Sequence, residues 1–145
     1  MNIRFATVND FDAWLPLWKG YQDFYQTQIS NDVTHETWRR FMDVEEPMWC
    51  SLAQVDSTVV GLVHHIYHRS CWTTGNYCYL QDLYVDNRYR SNGVGRALIE
   101  HVKQHARQEG ASRVHWLTHE TNQDAMKLYD QIAQKSGFVQ YRILL

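Results

Sequence analysis

Arg90-Ser91-Asn92-Gly93-Val94-Gly95 lies between an apolar run, Tyr77 to Val85, and a helix-patterned segment that begins inside the loop. An Arg-x-x-Gly-x-Gly turn between a strand and a helix suits a pyrophosphate. Glycines let the backbone approach the phosphates, and successive N–H groups point the same way. The helix N-terminus adds unpaired donors and partial positive charge. Arg90 and Arg96 can add charge-assisted hydrogen bonds. Other phosphate loops do not fit. The dinucleotide fingerprint needs a third glycine, and Arg96-Ala97-Leu98 supplies none; Gly-Lys-Ser/Thr is absent too.

The loop and its flanks resemble the acetyl-CoA loop of the GCN5-related N-acetyltransferase (GNAT) superfamily. A second motif of that family is Asn-x-x-Ala-x-x-Leu-Tyr followed by Gly-Phe. Asn122, Ala125, Leu128, Tyr129, Gly137 and Phe138 match it in order and distance. The strand Tyr79-Leu80-Gln81-Asp82 and the segment Trp116 to Asn122 are similar to the histone-and-polyamine acetyltransferase subgroup and its bacterial relatives. The resemblance implies that acetyl-CoA lies along the backbone of Leu83, Tyr84 and Val85, as an added strand would. It implies that Arg90, Ser91, Asn92, Gly93, Val94, Gly95, Arg96 and Ala97 hold the pyrophosphate. Asn122 and Tyr129 would complete the cofactor set, although Asn122 also reads as a plain helix cap.

The implied reaction moves an acetyl group from sulfur to a primary amine, polyamine-like or lysine-like. An alkyl ammonium cannot attack. Deprotonating it at pH 7 costs about 4–5 kcal/mol from a pKa near 10.4. A proton acceptor is therefore needed. Asp82, Glu120, His119, acids of the early helices such as Asp23, and a water chain are all open. Position 81 carries a glutamate base in the spermidine/spermine relatives; here Gln81 cannot titrate, and it is read as substrate-contacting. The resemblance gives Tyr129 the role of proton donor to the departing thiolate, against a packing role on its helix. Trp18, Tyr21 and Tyr25, with Phe24, can wall an amine pocket, since aromatic faces attract cations. A metal is not expected. His64 and His65 are adjacent on a strand and point to opposite faces, and no Cys-x-x-Cys pair occurs.

The elements that must position these groups follow from periodicity. Residues 3–8 form a first strand. Phe11, Trp14, Leu15, Trp18 and Tyr21 follow at helical spacing, with Pro16 predicted to bend or split the helix. A second helix opens at Thr34 and stops before Pro47. Residues 49–55 and 58–67 form a hairpin, and 77–85 feeds the loop. Val94 to Ala106 carries one apolar helical face ended by Gly110. A strand near Val114 to Thr118, a last helix ended by Gly137, and a closing strand Phe138 to Leu145 complete the order. The prediction is one α/β domain (mixed α+β) over residues 1–145, β-α-α-β-β-β-α-β-α-β, with helices on both faces of a mixed sheet. That order is also the one a GNAT fold implies.

The chain's 145 residues suit one core, and its composition, 44% hydrophobic and 21% charged, is that of a globular domain. A net charge of −2 argues against a general nucleic-acid binder. Acids dominate residues 1–60 and bases the remainder, which suits a cationic substrate at one end and a polyanionic cofactor at the other; solvated helix faces explain it equally well. No apolar run is long enough to span a membrane, and no signal-peptide core is evident. The odd, scattered Cys50, Cys71 and Cys78 fit free thiols in a reducing cytoplasm. The closing strand, ending in three apolar residues, is expected to pair with a second copy and give a homodimer. A non-catalytic acetyl-CoA sensor is the rival to an enzyme, favoured by Gln81 and opposed by Tyr129.

Overall fold

The computed structural model describes residues 1–145. Its sheet has five strands in the order β1-β2-β3-β4-β5. These are β1 (Asn2–Phe5), β2 (Met48–Val55), β3 (Thr58–His68), β4 (Tyr77–Val85) and β5 (Arg113–His115). The first four pair antiparallel, and β4 pairs parallel with β5. The crossover between β4 and β5 is α3 (Val94–Gln108). Helices α1 (Phe11–Phe24) and α2 (Asn31–Met42) cover one face of the sheet. Helices α3 and α4 (Gln123–Ile132) cover the other.

Each face has its own core. Trp14, Leu17, Trp18, Cys50, Leu52 and Leu62 pack under α1. Val63, Cys78, Leu80, Leu98, Val102 and neighbours pack under α3. Adjacent residues of one strand go to opposite cores because side chains alternate.

The predicted elements hold with five corrections. Helix α1 is continuous through Pro16. Proline removes one backbone donor near the helix start, and the buried Trp14, Leu17 and Trp18 anchor both sides of it. Helix α2 begins at Asn31 rather than Thr34, because the Ser30 hydroxyl accepts the Val33 N–H at 3.2 Å. Strand β5 is three residues long, and α4 ends at Ile132 rather than at Gly137. The closing strand Phe138 to Leu145 is absent, and these residues carry no regular structure. A strand exists only through its ladder, and β5 offers a short edge. Phe138, Val139, Tyr141, Ile143 and Leu144 are all largely exposed.

Candidate active site

Strands β4 and β5 pair only at Tyr77–Arg113, Cys78–Val114 and Tyr79–His115. Beyond them the β5-side edge of β4, from Leu80 to Val85, has no strand beside it. Unpaired N–H and C=O groups of a strand edge accept an extended ligand. Leu83, Tyr84 and Val85 lie on this edge.

The loop follows directly. Asp86 caps a short 3-10 turn over Asn87–Tyr89, its side chain accepting the Arg88 N–H. Asn92 donates to the carbonyls of Arg90 (3.0 Å) and Tyr89 (3.4 Å). Gly93, at φ 80°, precedes α3, and Ser91 also has positive φ, at 64°. A Cβ built on Gly93 meets nothing within 4 Å, so the glycine faces open space. The first i→i−4 bond of the helix runs from Ala97 to Gly93 at 3.0 Å. The N–H groups of Val94, Gly95 and Arg96 precede it and lack helical acceptors. Open space beside a left-handed glycine, free donors and a bare strand edge together fit a pyrophosphate-bearing pantetheine ligand.

The two arginines are more restrained than their charges suggested. Arg90 donates to the Val85 carbonyl at 3.0 Å and lies over the rings of Phe24 and Tyr84. Arg96 donates to Gln131 and ties α3 to α4. Gly95 lies 3.6 Å, measured from an added Cβ, from Leu128, which allows α4 to sit close to the start of α3.

On the α1 face, the register of β3 against β4 shifts between His64 and His65. His64 faces Asp82, whereas His65 faces Leu80. Gln81 is the extra residue of a β-bulge, left without a cross-strand partner. Without the bulge, Leu80 and Asp82 would share a face. With it, Leu80 stays in the α3 core and Asp82 turns to the α1 side. Gln81 itself is exposed.

Asp82 is buried and accepts a hydrogen bond from His64 Nδ1 at 2.9 Å. Around it stand phenols. Tyr21, Tyr25 and Tyr79 are all raised above the ordinary tyrosine range, by burial first and the Asp82 charge second. Tyr21 stacks on Trp18 at 5.0 Å and meets Tyr25 at 4.9 Å. Tyr21 and Tyr25 therefore wall the approach to Asp82. Trp18 is buried behind Tyr21, with its indole N–H unpartnered.

Tyr129, on α4, packs edge-on against Trp116 at 5.3 Å. Burial, then the neighbouring Tyr25, pushes its phenol up to about 12. Tyr129 thus touches the core of the α3 face while sensing the end of α1. Asn122 precedes α4 but does not cap it; its amide donates to Thr118 Oγ1 at 3.1 Å. Glu120 is exposed in the preceding turn, and His119 Nδ1 bonds Thr121 Oγ1 at 2.7 Å. Of the proposed proton acceptors, Asp82 alone is held in a buried network.

Sequence reasoning missed His64, Trp14 and Tyr79. In the sequence His64 reads only as a candidate metal ligand. A polar residue at an inward strand position was the available signal, but strict alternation does not foresee a bulge, so nothing placed it against Asp82.

The comparisons agree with this geometry. Residues 12–133 match the model of the acetyltransferase (GNAT) family. The chain is 38% identical to the D-amino-acid N-acetyltransferase HPA3 of Saccharomyces cerevisiae, covering 97% of this chain and 88% of that protein. It is 31% identical to the thialysine N-epsilon-acetyltransferase of Mus musculus, covering 97% and 90%. Its fold matches AAC(6')-Iy, solved with the bisubstrate analogue CoA-S-monomethyl-acetylneamine, at a TM-score of 0.86 and 15% identity, over 99% and 97% of the two chains. With the open β4 edge and the glycine loop at the start of α3, these likenesses show that the chain belongs to the GNAT family and is an N-acetyltransferase.

Proposed function

We propose that the protein transfers the acetyl group of acetyl-CoA to the primary amine of a small cationic molecule or a lysine-like side chain. The observation that carries this reading is Asp82, a buried carboxylate behind two tyrosines, beside the gap that opens between β4 and β5. An ammonium entering between Tyr21 and Tyr25 meets aromatic faces and then a carboxylate. The relatives' names, which specify D-amino acids and thialysine, support an amine acceptor.

Bound acetyl-CoA supplies an activated acyl thioester. The loop from Arg90 to Ala97 and the edge from Leu83 to Val85 would hold it, with Asn122 at the pantetheine arm. Asp82 pairs with the ammonium and accepts its proton, directly or through water. Tyr129 Oη keeps its proton throughout the neutral range, its phenol standing at about 12, so it acts as a donor rather than a base. A covalent intermediate on Cys50 or Cys78 is disfavoured. Burial raises the thiol of Cys50 and pushes that of Cys78 up to about 12, so neither is a thiolate at neutral pH. Gln81 contributes the bulge that turns Asp82 to the α1 side of the sheet.

The test is release of CoA thiol with spermidine, thialysine and a set of D-amino acids. Asp82→Asn should lower kcat/KM for the best amine by about 10²-fold or more while acetyl-CoA affinity stays near wild type. Unchanged amine kinetics in a folded variant would remove Asp82 from the reaction.

We also propose a cytoplasmic homodimer that works on small molecules rather than nucleic acid. The three free cysteines support the reducing compartment. No helix is long and apolar enough to cross a membrane. The exposed apolar tail supports the dimer, because a groove lined by Ile99, Ala106, Val114, Trp116 and Ile132, with Lys103, Arg107 and Arg113 beside them, lies among α3, β5 and α4. A second copy's tail would cover the groove. Light scattering should give a dimeric mass at micromolar concentration, shifted toward monomer when residues 138–145 are removed. A monomeric wild type would end this reading.

A further inference from the structure

Behind Asp82 lies a buried chain of hydrogen bonds. Trp14 Nε1 lies 3.0 Å from His64 Nε2, and His64 Nδ1 lies 2.9 Å from Asp82 Oδ2. An indole nitrogen only donates. His64 Nε2 must therefore accept, which leaves the ring proton on Nδ1, where it is given to Asp82. A second ring proton would set donor against donor at Trp14. His64 is 2% exposed and boxed in by the rings of Trp14, Trp18 and Phe41, the last at 4.6 Å. The ring has little freedom to flip or tilt. It engages one carboxylate oxygen and leaves the other for Tyr21 and for whatever enters between Tyr21 and Tyr25.

We propose that His64, its tautomer fixed by Trp14, is the positioning residue that aims Asp82 at the amine. This rests on the reading of Asp82 as the amine-facing carboxylate. The histidine is a fixed neutral donor. It turns a flexible carboxylate, reoriented by a bulge that also loosens the local ladder, into a group with one free oxygen and one direction. The sheet alone does not supply this orientation, because the bulge residue Gln81 is unpaired. An aromatic-lined box excludes water that would otherwise compete for the same oxygen.

Long-range nitrogen-proton NMR on the wild type should find the His64 ring proton on Nδ1 and none on Nε2; a proton at Nε2 overturns the proposal. His64→Leu should lower kcat/KM for the best amine about 10- to 100-fold, the loss expected for a hydrogen bond to a charged group. Acetyl-CoA affinity should not change. His64→Asn places an amide donor where Nδ1 stands and should recover most of that loss. In an Asp82→Asn background, His64→Leu should add nothing further. Equal impairment of the Leu and Asn variants, or additive losses in the double variant, would show packing rather than positioning. If His64→Leu fails to fold, the Asn variant and the ring tautomer still decide. Impaired Asp82→Asn beside a wild-type-like His64→Leu overturns this inference alone. A fully active Asp82→Asn overturns the amine-facing reading itself.

Discussion

His64 and His65 are neighbours in sequence and end in opposite environments. On the α1 face, His64 links an indole to a carboxylate, and the network opens through Tyr21 and Tyr25. On the α3 face, His65 Nε2 meets His105 Nδ1 at 3.0 Å, and Tyr67 joins the same nitrogen at 2.7 Å. That second network contains no buried carboxylate; Glu109 reaches His105 from the exposed rim, at 3.6 Å. His65 Nδ1 is buried without a partner. Burial, then neighbouring histidines, pushes His65 down to about 3. Burial lowers His101 and His105 too. One face holds a buried carboxylate beside an opening lined by tyrosines, and the other holds rings that hydrogen-bond to one another within the core. The difference lies in what the rings meet, since the residue type is the same.

The comparison breaks most easily at Tyr129, which packs in the α3-face core while its phenol senses Tyr25 at the end of α1. Tyr129→Phe should reduce kcat by about 10²–10⁴-fold with acetyl-CoA affinity near wild type. Steady-state kinetics and calorimetry check this. Unchanged turnover would make the ring structural and leave Asp82 as the whole of the proposed proton chemistry.

Acid titration sharpens the contrast from the closed face. Unfolded His65 takes a proton below about 6.5, whereas the folded ring resists until about 3. Stability from this group is therefore complete above about pH 6.5 and is lost as pH falls toward 3. Between pH 7.5 and 5 the wild type should lose about 2 kcal/mol through His65. Urea unfolding of His65→Leu should show that loss much reduced, with neutral-pH turnover unchanged. An equally steep acid limb in the variant would assign the effect to other groups.

A comparable or smaller effect tests how tightly α1 is seated over the open network. A Cβ on Gly20 would lie 2.6 Å from the Tyr84 hydroxyl. Gly20→Ala should cost about 1–3 kcal/mol by overpacking, despite alanine's better helix propensity. Thermal unfolding measures it. A neutral or raised Tm would show that Tyr84 moves aside freely.

The glycine turn before α3, most helices and the hairpin were legible because their signals are local. Gly93, the apolar stripe of α3 and the turn at Asp56-Ser57 encode backbone conformation within a few residues. The matching of Asn122 to Tyr129 and of the loop pointed to a cofactor for the same reason. Tertiary structure decided the rest. Which face Asp82 serves depends on one extra residue in β4, and a bulge changes the side-chain alternation that periodicity assumes. Whether His64 is a ligand, a filler or a donor depends on a tryptophan 50 residues away. Whether the tail becomes a strand depends on an edge that three residues of β5 do not provide by themselves. Local pattern sets what a segment can form; long-range partners set what its side chains can do.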